Sequence, residues 1–216
     1  MIPLVYHPDT RLTTVAGEVK TIDQDLAALT RSMVETMHGE KGIGLAGPQV
    51  GRMDRLFVVH VPNDEPRVFI NPRIVAASPD EGAYEEGCLS IPGVYADIRR
   101  PLEITVEAYN EAGDPFRLDA DGILARVIQH EYDHLDGVLF IDRLTQRKRE
   151  RLLKSYRAPL RSRAEAEAGA DDGHGHEPAQ EHAHERVDGY ARESMDTTDS
   201  ERGGGGPQSS SQWDRS

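Results

Sequence analysis

The segment His130-Glu131-Tyr132-Asp133-His134 sets two imidazoles four residues apart, with a carboxylate beside the first. On a helix, side chains at i and i+4 share a face, so both imidazoles can reach one metal ion. Glu131 lies beside that face rather than on it. A carboxylate there can take a proton from a water activated by the metal and return it to a leaving group. The same spacing also suits a helical histidine pair with no ligand, so the pattern needs a third protein ligand before it carries chemistry.

Metzincin proteases supply a histidine six residues beyond the motif. Gly137 fits that pattern, but Phe140 stands at the ligand position and cannot ligate. Asp136 and Asp142 are too close in sequence to swing easily onto the same face, and Glu150 sits in a basic helix. Cys88 remains, in Glu86-Gly87-Cys88-Leu89-Ser90. A thiolate with two imidazoles is a sound three-ligand set that leaves one position for water. Glycine before the cysteine lets the backbone bend close to the metal, and the next backbone N–H can point at a reacting oxygen.

A third segment, Gly42 to Gly51, is rich in glycine and carries an amide donor, Gln49. As a phosphate loop it lacks a Lys-Ser/Thr pair and follows a helix rather than a strand. It reads better as a loop whose backbone approaches a ligand closely.

GIGLAGPQ (42–49), EGCLS (86–90) and HEYDH (130–134), in this order, resemble the peptide deformylase family over about residues 1–160. Gly47 stands where the family usually has alanine. The resemblance implies a hydrolase that removes the formyl group from the N-terminal formylmethionine of new polypeptides. It implies metal ligation by Cys88, His130 and His134, proton transfer by Glu131, and oxyanion donors at Gln49 and the Leu89 backbone N–H. The N-formylmethionyl peptide would lie as an added strand along Ile43 and Gly44. Its methionine side chain would enter an apolar pocket, for which Ile43, Tyr84, Ile123 and Val127 are candidates by position; ordinary core is the alternative for these four, and Tyr84 suits both equally. Two imidazoles and a thiolate suit zinc, iron, nickel or cobalt; the resemblance points to ferrous iron. Arg100 is expected in a structural ion pair. The rival readings are an HExxH metallopeptidase cleaving internal peptide bonds and a closed structural metal site. Phe140 and Cys88 argue against the first. The single cysteine and Glu131 argue against the second.

The elements that must position these groups follow from periodicity. Leu26, Leu29, Met33 and Met37 predict a helix over 22–38, capped by Thr21 or Asp23. Leu56 to Val61 predicts a strand. Val68-Phe69-Ile70 leads to a turn at Asn71-Pro72, with a strand resuming at 73–76. Glu103 to Tyr109 alternates as a strand with a half-buried face. A second helix is predicted over 122–136, with Leu124, Val127 and Ile128 inward and Gly137 as its stop. A third is predicted over 146–157. The fold class is α+β, with antiparallel sheets around a central metal-binding helix, a C-terminal helix and a disordered tail.

Composition divides the chain. Residues 162–216 carry 5 basic and 13 acidic residues, a net of −8, with few large apolar side chains. Such a segment is expected to stay disordered, which leaves 1–161 as the catalytic domain. Within the tail, His174, His176, His182 and His184 suit weak metal binding at most. Between Arg143 and Arg163, nine basic residues face one acid, Glu150, a stripe suited to RNA phosphates and hence to docking on the ribosome. No apolar run is long enough to span a membrane, and the start shows no basic cluster before an apolar run. With one cysteine no internal disulfide forms. A cytoplasmic setting is expected, with neither membrane nor DNA as a partner.

Overall fold

A computed structural model describes residues 1–154 and 156. The first helix, α1, spans Gln24–Gly39, and the Asp23 carboxylate caps it by accepting the Leu26 N–H at 2.9 Å. Leu26, Met33 and Met37 turn inward as their spacing predicts. The helix ends with Lys41 in the left-handed region (φ 57) and the Gly42 N–H donating to the Met37 carbonyl.

Seven strands follow α1. They are β1 (Gly44–Ala46), β2 (Leu56–Val59), β3 (Arg67–Ala77), β4 (Glu81–Gly87), β5 (Tyr95–Pro101), β6 (Glu103–Tyr109) and β7 (Pro115–Asp121). An antiparallel five-stranded sheet has the order β1-β2-β3-β6-β7, and β4 and β5 pair as a separate antiparallel hairpin. Helix α2, Gly122–Leu135, lies against both, touching β1, β2, β6 and β7 on one side and β5 on the other. The architecture is α+β, with antiparallel sheets packed around the helix that carries HEYDH.

Burial explains why α2 is central. Ala125, Val127 and Ile128 join Phe57, Phe69 and Val106 of the sheet in one core. Each large apolar side chain moved out of water there contributes about 1.5–3 kcal/mol. Phe57 and Phe69 stack at 4.8 Å between centroids. A second core gathers Ile91, Ile98, Phe140 and Tyr156, with Leu152 and Leu153 packed on it. That core holds down the helical stretch over 146–154.

One expectation fails in this frame. No turn interrupts 68–76; β3 runs through Asn71 and Pro72. The register slips between Ile70 and Arg73, a bulge where proline's missing N–H costs no ladder bond. Asn71 takes φ 50, and its side-chain amide bonds the Val19 backbone at both N and O, at 2.8 and 2.9 Å. Turn chemistry is present, but it ties in the N-terminal segment instead of ending the strand. Three elements were not anticipated: the β4–β5 hairpin, β7, and strand character at 44–46. The predicted α2 and β6 are where expected. The end of the basic helix and the tail over 162–216 lie outside the described residues. Among the described residues, no helix is long and apolar enough to cross a membrane.

Candidate metal centre

Helix α2 supplies two of the three candidate ligands, and the end of β4 supplies the third. The His130 and His134 rings stand 5.2 Å apart, edge to face. Cys88 follows directly on β4, and its Sγ lies 3.3 Å from His134 Nε2. One ligand atom from each of the three residues falls within 4.8 Å of the others. Bonds of about 2.0–2.3 Å to a common tetrahedral ion place ligand atoms roughly 3.3–3.6 Å apart; the Cys88–His134 distance has that spacing, and the set as a whole needs to close by at most roughly 1.5 Å to hold a first-row divalent cation. No other group of three His, Cys, Asp or Glu converges in this way among the described residues.

His130 is oriented from behind. Its Nδ1 lies 2.9 Å from Glu86 Oε2, which leaves Nε2 for a ligand. Glu86 also accepts two bonds from Arg100, at 2.6 and 2.9 Å, and one from Arg126 at 3.0 Å. Arg100 is 1% exposed and reaches on to Asp133 at 2.8 Å, and Arg143 closes on the same carboxylate at 2.6 Å. Arg126 further donates to the carbonyls of Ile98 and Gly82. Three guanidiniums and two carboxylates thus tie β4, β5, α2 and the turn Phe140–Arg143 together behind the ligands. Breaking such a buried pair costs about 3–5 kcal/mol, because the remaining charge has no partner.

The pair expected at Arg100 is present. Glu86, Arg126 and Asp133 had no role in the sequence reading, although two of them lie inside the quoted motifs. Arg143, the first base of the basic stripe, belongs to this network. Arg149 is likewise paired, with Asp142 at 3.0 Å. Arg147, Lys148, Arg151 and Lys154 remain exposed along the helical stretch.

Electrostatics separate the buried groups. Burial opposes ionising Glu86, but the bonds from Arg100 and His130 outweigh it and hold the carboxyl well below its usual range. Burial also opposes a charge on His130; the Cys88 sulfur and Glu86 outweigh it and raise the ring to about 10. His134 is pushed well below the ordinary value by burial and by the neighbouring charge on His130. Glu131 is 3% exposed, and its burial raises the carboxyl to about 7. Its Oε2 has no hydrogen-bond partner. Gly44 of β1 faces that carboxyl so closely that an added methyl would collide with Oε1 and with Val127 Cγ1.

Gln49 is buried in the turn Gly47–Val50. Its Oε1 accepts the Ala46 N–H at 2.8 Å, which points Nε2 toward Cys88 Sγ (3.5 Å) and Ser90 Oγ (3.3 Å). Leu89 follows the cysteine, and its side chain lies over Gly42. Val127 and Gly44 meet beside Glu131. Ile43 and Ile123 are each just over one-third exposed. Tyr84 lies on the inner face of the hairpin, with the Arg126 guanidinium 5.8 Å from its ring centroid.

The sequence model described as Polypeptide deformylase matches residues 1–150. A peptide deformylase of Treponema pallidum is 52% identical over 147 residues, which is 68% of this chain and 90% of that relative. One from Rhizobium meliloti is 44% identical over 165 residues, 74% of this chain and 95% of that protein. The crystal structure of the Synechococcus elongatus peptide deformylase, in complex with actinonin, superposes with a TM-score of 0.69 at 44% identity. That superposition covers 71% of this chain and 86% of that one. The Legionella pneumophila enzyme superposes at 0.72 with 38% identity, covering 76% and 98%. The chain therefore belongs to the polypeptide deformylase family, whose activity is removal of the formyl group from the N-terminal formylmethionine of new polypeptides.

Proposed function

We propose that Cys88, His130 and His134 hold one divalent cation and that Glu131 moves the proton in hydrolysis of the formyl group. The observation that carries this reading is the buried, unpartnered Oε2 of Glu131 on the helix that carries two of the three convergent ligand residues. A cation bound there supplies Lewis acidity, which lowers the pKa of a water and polarises the formyl oxygen. Glu131 accepts the proton of the water that attacks the formyl carbon. As the C–N bond breaks, the same carboxyl delivers that proton to the departing amine, and formate is released. Burial raises that carboxyl in the metal-free protein, which favours its holding the proton between the two transfers. The Gln49 amide and the Leu89 N–H donate to the oxyanion that develops on the formyl oxygen.

The peptide lies as a strand along Ile43 and Gly44, with its methionine side chain among Ile43, Tyr84, Ile123 and Val127. Zinc, nickel and cobalt suit the ligand set as iron does; ferrous iron is the assignment adopted, on the family resemblance. The catalytic domain is residues 1–161, with 162–216 dispensable for hydrolysis. The enzyme works in the cytoplasm, where the exposed bases Arg147, Lys148, Arg151 and Lys154 draw it to ribosomal RNA. Loss of cosedimentation with ribosomes as salt rises, and on deleting 146–163, tests that docking.

The assay for the reaction pairs formyl-Met-Ala with a blocked oligopeptide. Formate release without internal cleavage is expected; cleavage of the blocked peptide would favour a metallopeptidase. Glu131→Ala should keep the metal and lose about 10²–10⁴-fold in turnover.

A further inference from the structure

A second pair of histidines converges away from this centre. His38 lies in the last turn of α1, and His60 directly follows β2. His38 Nε2 and His60 Nδ1 stand 2.7 Å apart, with ring centroids at 4.9 Å. The pair takes no part in the chemistry at Cys88, and neither residue belongs to a motif in the sequence.

The other nitrogen of His60 fixes its role. Nε2 lies 2.9 Å from the Asp64 carbonyl oxygen, which can only accept, so Nε2 carries the hydrogen. The Nδ1 lone pair then faces His38. A ring nitrogen anchored on a backbone carbonyl is the arrangement that orients metal-binding histidines. The backbone of His60 is also held, because its N–H donates to the Ile43 carbonyl at 2.9 Å. His38 is exposed and donates Nε2–H across the gap. Moving that hydrogen to Nδ1 of the same ring turns a second lone pair toward the first, with no change in charge. Two nitrogens on one tetrahedral cation sit roughly 3.3–3.4 Å apart, so the pair needs to open from 2.7 Å by roughly 0.6–0.7 Å.

We propose that His38 and His60 form a surface site for a divalent transition-metal cation, distinct from the Cys88, His130 and His134 centre. Among the described residues no third His, Cys, Asp or Glu joins them in a convergent set, so water fills the remaining positions. Two neutral imidazoles without thiolate favour copper, nickel or zinc over calcium or magnesium.

The test uses the full chain with Ni2+ as the single probe metal for both sites, so that exchange at the catalytic centre changes no count. Bound nickel is measured by equilibrium dialysis for wild type, His38→Gln, His60→Gln and the double variant. The tail histidines contribute equally to all four. Each single variant and the double variant should lose the same one equivalent, because each removes half of one chelate. Unchanged nickel in either single variant, or losses that add in the double variant, would overturn the proposal. The exposed His38→Gln decides the matter alone if His60→Gln does not fold, and unaltered formate release confirms that a variant is folded.

Discussion

Replacing Glu131 with glutamine should change how the stability of the metal-free protein depends on pH, and the size of that change follows from burial. The carboxyl stands at about 7 in the folded chain against an ordinary 4.5, with burial as the first cause. A folded-state pKa above the unfolded one means that the native state holds its proton longer. The protonated carboxyl therefore costs nothing extra below pH 4.5, and stability falls as pH rises from there through about 7. At about 1.4 kcal/mol per pH unit, the interval corresponds to about 3 kcal/mol lost by pH 8, and under about 1 kcal/mol at pH 5. A glutamine side chain does not titrate, so the variant is spared this loss. Its amide brings a fixed cost of its own, which is the same at every pH and drops out of the comparison. Urea unfolding of both proteins in chelator, at pH 5, 6, 7 and 8, gives the difference curve. The variant should gain about 2–3 kcal/mol on wild type between pH 5 and pH 8. Parallel curves would mean that Glu131 titrates as an ordinary carboxyl and that its burial is not what readies it for proton transfer.

Glu86→Ala should weaken metal binding by about 10–100-fold, since His130 loses the group that orients it. It should also destabilise the fold by about 3–5 kcal/mol, because Arg126 loses its carboxylate and Arg100 keeps only Asp133, read by metal titration and urea unfolding. Gly44→Ala should cut turnover while the metal stays bound, because the added methyl must displace the Glu131 carboxylate; full activity would show that the carboxyl has room to move. Truncation after Arg163 should leave formate release unchanged with metal in excess, and an inactive product would move the domain boundary.

The candidate site was legible where its chemistry is local. HEYDH lies on one helix, so i, i+4 spacing alone brought His130 and His134 together, and Cys88 was left as the third donor by elimination. The support behind the ligands was not legible, because it is assembled across distance. Glu86 is 44 residues from His130 and 14 from Arg100. The β4–β5 hairpin was missed for the same reason. Its inner face reads Tyr84, Glu86, Ile98 and Arg100, so half of what it buries is charged and apolar alternation does not reveal it. In α2 the apolar stripe of Val127 and Ile128 was found, but Gln129, Asp133 and both histidines are buried too, because protein surrounds the helix. Gly47, the departure from the family's usual alanine, has a local counterpart. A methyl there would lie 2.7 Å from the Asp54 carbonyl oxygen and 2.8 Å from that of Arg52, so the 52–54 backbone sits closer than alanine allows.

Two buried carboxylates that adjoin the candidate ligand set, Glu86 by its bond to His130 and Glu131 by its place on α2, are thus set in opposite electrostatic states by their surroundings. Glu86 accepts from Arg100, Arg126 and His130, so its charge is neutralised in place and it stays ionised. A carboxylate held that firmly can orient a ligand but cannot take up a proton near neutrality. Glu131 is one residue along α2 from His130 and is offered no such partners at Oε2. Desolvation outweighs the lowering effect of the His130 and Arg100 charges and lifts its pKa to about 7, the separation of roles that acid–base sites require. A hydrogen bond donated to its Oε2 would favour the charged form and lower that pKa, out of the range where the carboxyl exchanges protons. Glycine at 44 therefore leaves the carboxyl the space that any side chain there would take.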